Sequence, residues 1–156
     1  MKCRIAGYIK HSLVNGPGIR LVLFFQGCPH HCKGCQNPDT WDPEGGELTD
    51  TEELIDLIRS VKHIQGITFS GGDPLMQSDA LTELASFSKN IGLDVWCYTG
   101  WTIEEIRSGK AGINQEALKY IDVLVDGPFI EKLKDEDLEL RGSSNQRIIR
   151  LDQTFL

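Results

Sequence analysis

The apolar residues of this chain alternate between short continuous runs and groups at helical spacing. Residues 21–25 form an unbroken apolar run, which is typical of a strand buried on both faces. Leu54, Leu57, Ile58 and Val61 then recur at the spacing of one helix face. The pattern therefore indicates an α/β protein in which buried strands and amphipathic helices follow one another.

Turn and capping residues extend this pattern to an order of elements. Strands are expected over residues 3–9, 19–25, 66–69, 93–98, 121–125 and 147–151, and helices starting near residues 49, 78, 102 and 114. Thr49 with Glu52, and Thr102 with Glu105, form capping-box patterns. Strands that alternate with helices predict a mostly parallel sheet in a single domain, residues 1–156.

Several polar or glycine-containing loops each follow a predicted strand. They are residues 26–36, 70–73, 98–100 and 126–128. In parallel α/β folds, the loops at the carboxyl ends of the strands line the ligand site. We therefore expect these loops to converge on one rim.

Composition and charge narrow the class of protein. The chain has 156 residues, of which 40% are hydrophobic and 25% charged, as in an ordinary globular domain. No apolar run approaches the about 20 residues of a membrane span, and no leader pattern is present, so we expect a cytoplasmic protein with no membrane partner. A net charge of -7 argues against a nucleic-acid partner, which needs a concentrated basic face.

The cysteines change this picture most. Cys28, Cys32 and Cys35 form a C-x3-C-x2-C spacing, and the total of five cysteines is odd, which favours a metal site in a reducing compartment over disulfides. Clustered thiolates select iron–sulfur clusters, zinc or copper(I). A [4Fe–4S] cluster held by three cysteines leaves one iron open to a substrate. The spacing therefore predicts a [4Fe–4S] cluster on these cysteines as the catalytic centre.

A zinc-binding interaction module without activity is the alternative reading of the same cysteines. Structural zinc needs a fourth ligand, which His30, His31, Cys3 or Cys97 would have to supply. Zinc sites usually pair two close ligands with two distant ones, whereas three are close here. Cys3 and Cys97 lie in apolar strand contexts, which is typical of buried small side chains.

The segment Ser70-Gly71-Gly72-Asp73-Pro74 is the second candidate site. Adjacent glycines let a ligand approach the backbone closely, and a residue before proline is biased to an extended conformation. Opposite a cluster loop, Gly71, Gly72 and Asp73 are candidates to bind a zwitterionic amino acid group. Asp126, which follows a later strand, has no assigned role.

Together these motifs resemble the radical S-adenosylmethionine enzymes, which carry such a cysteine loop after the first buried strand and a Gly-Gly-(Asp/Glu)-Pro loop after a later one. Residues 15–20 and 37–41 resemble the glycyl-radical-enzyme activases. Residues 98–100, 126–128 and 141–147 resemble the activases of the anaerobic (class III) ribonucleoside-triphosphate reductase. Activases of pyruvate formate-lyase are the nearest alternative within this family, but they are much longer.

The resemblance implies a partial (β/α) barrel in which the methionyl group of S-adenosylmethionine chelates the open iron. Gly71, Gly72 and Asp73 would position its amino group. Gly34 stands where an aromatic residue commonly precedes the third cysteine, so we expect backbone contacts to the cofactor from the end of the cysteine loop, at Gly34, Cys35 and Gln36.

The implied activity is reductive cleavage of S-adenosylmethionine to a 5′-deoxyadenosyl radical. That radical takes a hydrogen atom from a glycine of the reductase large subunit, with an electron from a donor such as reduced flavodoxin. A chain this short has little left to build a lid, so we expect an open rim that accepts a protein loop. A radical enzyme acting on a small molecule remains an alternative and would turn over without a protein partner.

Overall fold

The structure is a computed structural model that describes residues 1–35 and 37–151. Its strands are Lys2–Ser12 (β1), Arg20–Phe25 (β2), Glu47–Asp50 (β3), Gly66–Gly71 (β4), Asp94–Tyr98 (β5), Val123–Asp126 (β6) and Arg147–Arg150 (β7). Its α-helices are Thr51–Ser60 (α1), Ser78–Asn90 (α2) and Ile103–Arg107 (α3). Short 3-10 helices cover Pro38–Thr40, Pro74–Gln77, Gln115–Tyr120 and Glu131–Leu133.

The described strands form one sheet in the order β3-β1-β2-β4-β5-β6-β7. The central strands β2, β4, β5 and β6 are parallel. In contrast, β1, β3 and β7 pair antiparallel at the two sides. The predicted α/β class is therefore confirmed, and a mostly parallel sheet is confirmed for its centre, whereas the flanking strands are antiparallel.

The core lies between the parallel strands and the helices. Leu21, Leu23 and Phe25 are fully buried and belong to the same apolar cluster as Leu81 and Leu84 of α2. Burying one such side chain contributes about 1.5–3 kcal/mol. Because side chains alternate along a strand, the residues between those of β2 point to the other face of the sheet, which remains available for a site.

A buried arginine closes the amino-terminal ends of the parallel strands. Arg20 is fully buried and donates to Thr68 Oγ1 at 2.8 Å, Ile67 O at 2.9 Å and Pro17 O at 3.0 Å. Its guanidinium also forms an ion pair with Asp94 at the start of β5. The charge is thus satisfied at the end of the sheet remote from the loops that follow the strands.

Strand β3 was not predicted, and it moves the start of the first helix. Thr49 was expected to cap that helix but lies in β3, where it pairs with Cys3 of β1. The cap is Asp50, whose side chain accepts from Glu52 N at 3.3 Å. Aspartate is as good a cap as threonine, and the bonds to β1 keep Thr49 in extended conformation.

The other predicted helix starts agree with the structure. Thr102 and Glu105 form the capping box, with Thr102 N donating to Glu105 Oε1 at 3.0 Å and Glu105 N donating to Thr102 Oγ1 at 3.2 Å. Asn114 caps the segment that follows, which is a 3-10 helix, Gln115–Tyr120. In the part of the chain that the structure describes, no helix is long and apolar enough to cross a membrane.

Candidate functional site

The loops that follow the parallel strands surround one cavity of about 390 Å³. Its wall takes residues from the cysteine loop, from Ser70-Gly71-Gly72, from Tyr98-Thr99-Gly100 and from the segment that begins at Gly127. The expectation that these loops converge on one rim is confirmed. Phe24, Ser70 and Tyr98 line the cavity, whereas their neighbours Phe25, Phe69 and Cys97 belong to the core cluster.

The clustered cysteines lie together on the cavity wall. Cys28, Cys32 and Cys35 are half-buried free thiols that all line the cavity. Cys3 and Cys97 are free and buried in the core, as expected. Among residues 1–35 and 37–151, no group of three Cys, His, Asp or Glu side chains is placed to hold a single metal ion. The ligand set predicted for the cluster stays a prediction that the shared wall supports.

Backbone N–H groups are directed at the sulfurs of these cysteines. Burial raises the pKa of Cys28 to about 11, an effect opposed by hydrogen bonds from the backbone of His30 and His31. Burial likewise raises the pKa of Cys32, opposed by a hydrogen bond from the backbone of Phe129. Asn37 N donates to Cys35 Sγ at 3.4 Å. Such N–H···S contacts stabilise thiolates and tune iron–sulfur clusters, so the loop fits a thiolate-bound cluster.

The two glycines of the Gly-Gly-Asp-Pro loop permit a close approach between loops. Gly72 N donates to Phe25 O at 2.8 Å, and Asp73 N donates to Gly27 O at 2.8 Å. A Cβ on Gly72 would stand 2.4 Å from Gly27 O, and a Cβ on Gly71 would stand 2.4 Å from Phe25 N and O. Both glycines therefore let β4 run directly against the start of the cysteine loop.

The carboxylate of Asp73 is a fully buried hub between loops. It accepts from Thr99 Oγ1 at 2.9 Å, Gly100 N at 2.9 Å and Leu75 N at 3.1 Å. It also lies 2.7 Å from His30 Nε2. Asp73 is absent from the described cavity wall, and its side chain joins the loops by these hydrogen bonds. Its predicted contact to the cofactor stays a prediction.

His30 and Thr99 are site residues that the sequence analysis did not single out for this role. The His30 ring lines the cavity, contacts Asp73 and packs edge-on against Trp101 with centroids 4.7 Å apart. Thr99 follows β5, where a loop residue of the rim was expected. The signal that was available is positional, because His30 lies within the cysteine loop and Thr99 within the loop of residues 98–100.

The end of the cysteine loop agrees less well with the expected cofactor contacts. Cys35 lines the cavity, but Gly34 is not part of its described wall. Instead, Gly34 adopts φ 78° beside Glu131, whose side chain would be 3.1 Å from an added Cβ. Gln36 lies outside the described residues. The predicted contacts at Gly34 and Gln36 remain predictions.

Asp126 has a structural role. Its buried carboxylate accepts from Ile103 N at 2.8 Å and from Arg147 Nε and Nη2 at 3.0 and 2.6 Å. Arg147 also donates to Glu104, at 2.9 and 2.6 Å. Asp126 thus links the start of α3 to β7. Because Asp126 and Arg147 stand at the two ends of residues 127–146, their ion pair also fixes the ends of the segment that completes the cavity wall.

The chain is similar to one kind of activating protein over most of its length. A family model described as a 4Fe-4S single cluster domain matches residues 14–149. Anaerobic ribonucleoside-triphosphate reductase-activating proteins are 41% identical in Vibrio cholerae (92% of this chain, 95% of the relative) and 40% identical in enterobacteria phage T4 (88% and 87%). The protein of that name from Escherichia coli K12 is 36% identical over 92% of this chain and 96% of the relative.

A solved structure supports the fold. The crystal structure of QueE from Escherichia coli superposes with a TM-score of 0.56, covering 81% of this chain and 70% of that chain. Sequence identity is 16%, so this likeness concerns the fold alone.

Proposed function

Because this chain belongs to the family of anaerobic ribonucleoside-triphosphate reductase-activating proteins, we propose that its cavity is the site of that activation. The protein is an oxidoreductase that generates a glycyl radical on the large subunit of the anaerobic reductase. When bound, a [4Fe–4S] cluster and S-adenosylmethionine supply the 5′-deoxyadenosyl radical that removes a hydrogen atom from the glycine. The protein supplies binding, orientation and exclusion of water.

The cluster is assigned to Cys28, Cys32 and Cys35. The observation that carries this assignment is that three free thiols share one cavity wall and that backbone N–H groups are directed at their sulfurs. A [4Fe–4S] cluster held by these three thiolates would have one iron without a protein ligand, and that iron would be free to bind the cofactor. Cys3 and Cys97 are assigned no ligand role because both are buried in the core.

The amino group of S-adenosylmethionine is assigned to the backbone of Gly71 and Gly72. An ammonium group needs acceptors, and glycine carbonyl groups are accessible because no side chain covers them. Both residues line the cavity at the end of β4. Asp73 acts as a positioning residue, because its carboxylate is engaged by Thr99, Gly100 and His30.

The remaining proposals concern the fold of the domain, the electron donor and the cellular compartment. Residues 1–156 are proposed to form one activase domain whose sheet is a partial (β/α) barrel, supported by parallel strands that carry the site loops at their carboxyl ends. A reduced carrier such as flavodoxin is proposed as electron donor. Free clustered thiols suit a reducing, cytoplasmic compartment, and a net charge of -7 agrees with the absence of a nucleic-acid partner.

The test is activation of the reductase by the reconstituted protein. Reduced protein, S-adenosylmethionine and the reductase large subunit are mixed anaerobically, and the glycyl radical is followed by EPR together with 5′-deoxyadenosine. We expect a glycyl radical whose yield depends on all three components. Release of 5′-deoxyadenosine with no radical on the reductase would favour a small-molecule substrate. Zinc uptake with no cleavage would favour the interaction module.

A further inference from the structure

Apart from its three cysteines and His30, the described cavity wall carries one charged side chain. Among the described residues of this wall, Arg141 is the one lysine or arginine, and no Asp or Glu is present. This is unusual for a chain with 23 acidic and 16 basic residues. Arg141 therefore presents a positive charge to whatever occupies the cavity, and no carboxylate of the described wall neutralises it.

Arg141 is also incompletely satisfied within the described part of the chain. Its Nη1 donates to Gln146 O at 3.0 Å, and its Nε is buried with no hydrogen-bond partner. Arg20 and Arg147 differ in this respect, because both are paired with carboxylates. A buried donor without a partner is rare and unfavourable in native proteins, so an acceptor beyond the described residues is expected here.

The turn that presents Arg141 is built by side-chain hydrogen bonds. Gln146 Oε1 accepts from Gly142 N at 2.9 Å and Ser143 N at 3.1 Å, and Gln146 Nε2 donates to Gly127 O at 3.1 Å. Leu140, the preceding residue, has φ 61°, an uncommon conformation for a branched side chain. The position of Arg141 is therefore fixed by the fold before any ligand binds.

We propose that the guanidinium of Arg141 binds the carboxylate of the methionyl group of S-adenosylmethionine. The ligand carries an ammonium, a sulfonium and a carboxylate, and a guanidinium repels the first two and pairs with the third. With the ammonium on Gly71 and Gly72, this contact adds a second anchor for the amino acid end of the cofactor, from another segment of the same wall. The inference rests on the proposed function and adds a residue to that site.

Equilibrium binding to the reconstituted holoprotein tests this contact. Dissociation constants are measured by calorimetry for S-adenosylmethionine and for its decarboxylated analogue, using wild type, Arg141→Gln, Arg141→Lys and the control Lys132→Gln. Lys132 is an exposed cation of the same segment that does not line the cavity. Arg141→Gln is expected to weaken binding of S-adenosylmethionine about 10- to 100-fold and to leave binding of the analogue unchanged. Lys132→Gln is expected to change neither.

The outcomes separate this inference from the proposed function. Equal weakening for both ligands, or no weakening for either, would overturn the role of Arg141. Unchanged binding together with failed activation of the reductase would also overturn it and assign Arg141 to a carboxylate of the partner. If Arg141→Gln does not retain iron and sulfide, Arg141→Lys decides, with an intermediate loss expected for S-adenosylmethionine only. A wild type that binds no S-adenosylmethionine would instead contradict the proposed function.

Discussion

His30 Nε2 lies 2.7 Å from Asp73 Oδ2, which joins the cysteine loop to the Gly-Gly-Asp-Pro loop. The same carboxylate accepts from Thr99 and Gly100, which follow β5. One buried group therefore holds the loops after three parallel strands in a single arrangement. The geometry of the cavity depends on this hub as much as on the residues that line it.

Replacing Asp73 by Asn should lower stability through this hub. The amide keeps one acceptor oxygen and turns its NH2 group toward donors of Thr99 or Gly100, so buried hydrogen bonds are lost. We expect the free energy of unfolding to fall by about 2–3 kcal/mol, measured by anaerobic chemical denaturation. Asp56→Asn is the matched control, because the Asp56 side chain is 75% exposed and should cost less than about 0.5 kcal/mol. Equal effects of the two variants would refute the hub.

Alanine replacements separate the cluster cysteines from the core cysteines. Changing Cys28, Cys32 or Cys35 should each abolish cleavage of S-adenosylmethionine and lower the bound iron and sulfide after reconstitution. Cys97→Ala should retain both, because Cys97 is fully buried in the core, and should cost only stability. Iron and sulfide analysis measures the difference. Wild-type cleavage in any of the first three variants would remove that cysteine from the ligand set.

Gly72→Ala should disturb the cysteine loop itself. The added Cβ would stand 2.4 Å from Gly27 O, a backbone atom next to Cys28, so the two loops must separate. We expect lower iron content and weaker binding of S-adenosylmethionine, measured by iron analysis and calorimetry. Gly92→Ala is the control, since Gly92 has φ 88° but nothing within 4 Å of its added Cβ. Gly92→Ala should lose stability and keep its iron. Full iron content in Gly72→Ala would contradict the prediction, because the cysteine loop would then tolerate the added Cβ.

The pairing of Glu104 with Arg147 predicts a specific dependence of stability on pH. The hydrogen bond from Arg147 lowers the pKa of Glu104 from 4.5 to about 2. A carboxyl group whose pKa is lowered by folding stabilises the protein above its unfolded pKa, and this contribution is lost as the pH falls through the folded pKa. Wild type should therefore lose stability between pH 4.5 and pH 2 more steeply than Glu104→Gln. Unfolding of the cluster-free chain as a function of pH measures this, and parallel curves would contradict it.

The central strands and the position of the site could be predicted because their signals are local. The apolar run of residues 21–25 is a buried strand, and the loop motifs immediately follow strands. Strand β3 could not be predicted in this way, because residues 47–50 have no apolar run and form a strand only by pairing with β1.

The side-chain contacts of the site required the fold. Asp73 was predicted as a cofactor-binding residue, yet its partners His30 and Thr99 are 43 and 26 positions away. Arg141 belongs to a segment identified by resemblance, and nothing in its sequence shows that it lines the cavity. Residue type and motif indicate which residues can bind a metal or a ligand. The distances between those residues depend on the register of the parallel strands, which the sequence does not show.

The most direct test of the central claim is the EPR spectrum of the reconstituted, reduced protein with and without S-adenosylmethionine. The claim is that Cys28, Cys32 and Cys35 hold a [4Fe–4S] cluster whose open iron binds the cofactor. We predict a reduced cubane signal that changes when S-adenosylmethionine is added. A cubane signal unaffected by the cofactor, or a colourless protein that holds zinc and no sulfide, would contradict the claim.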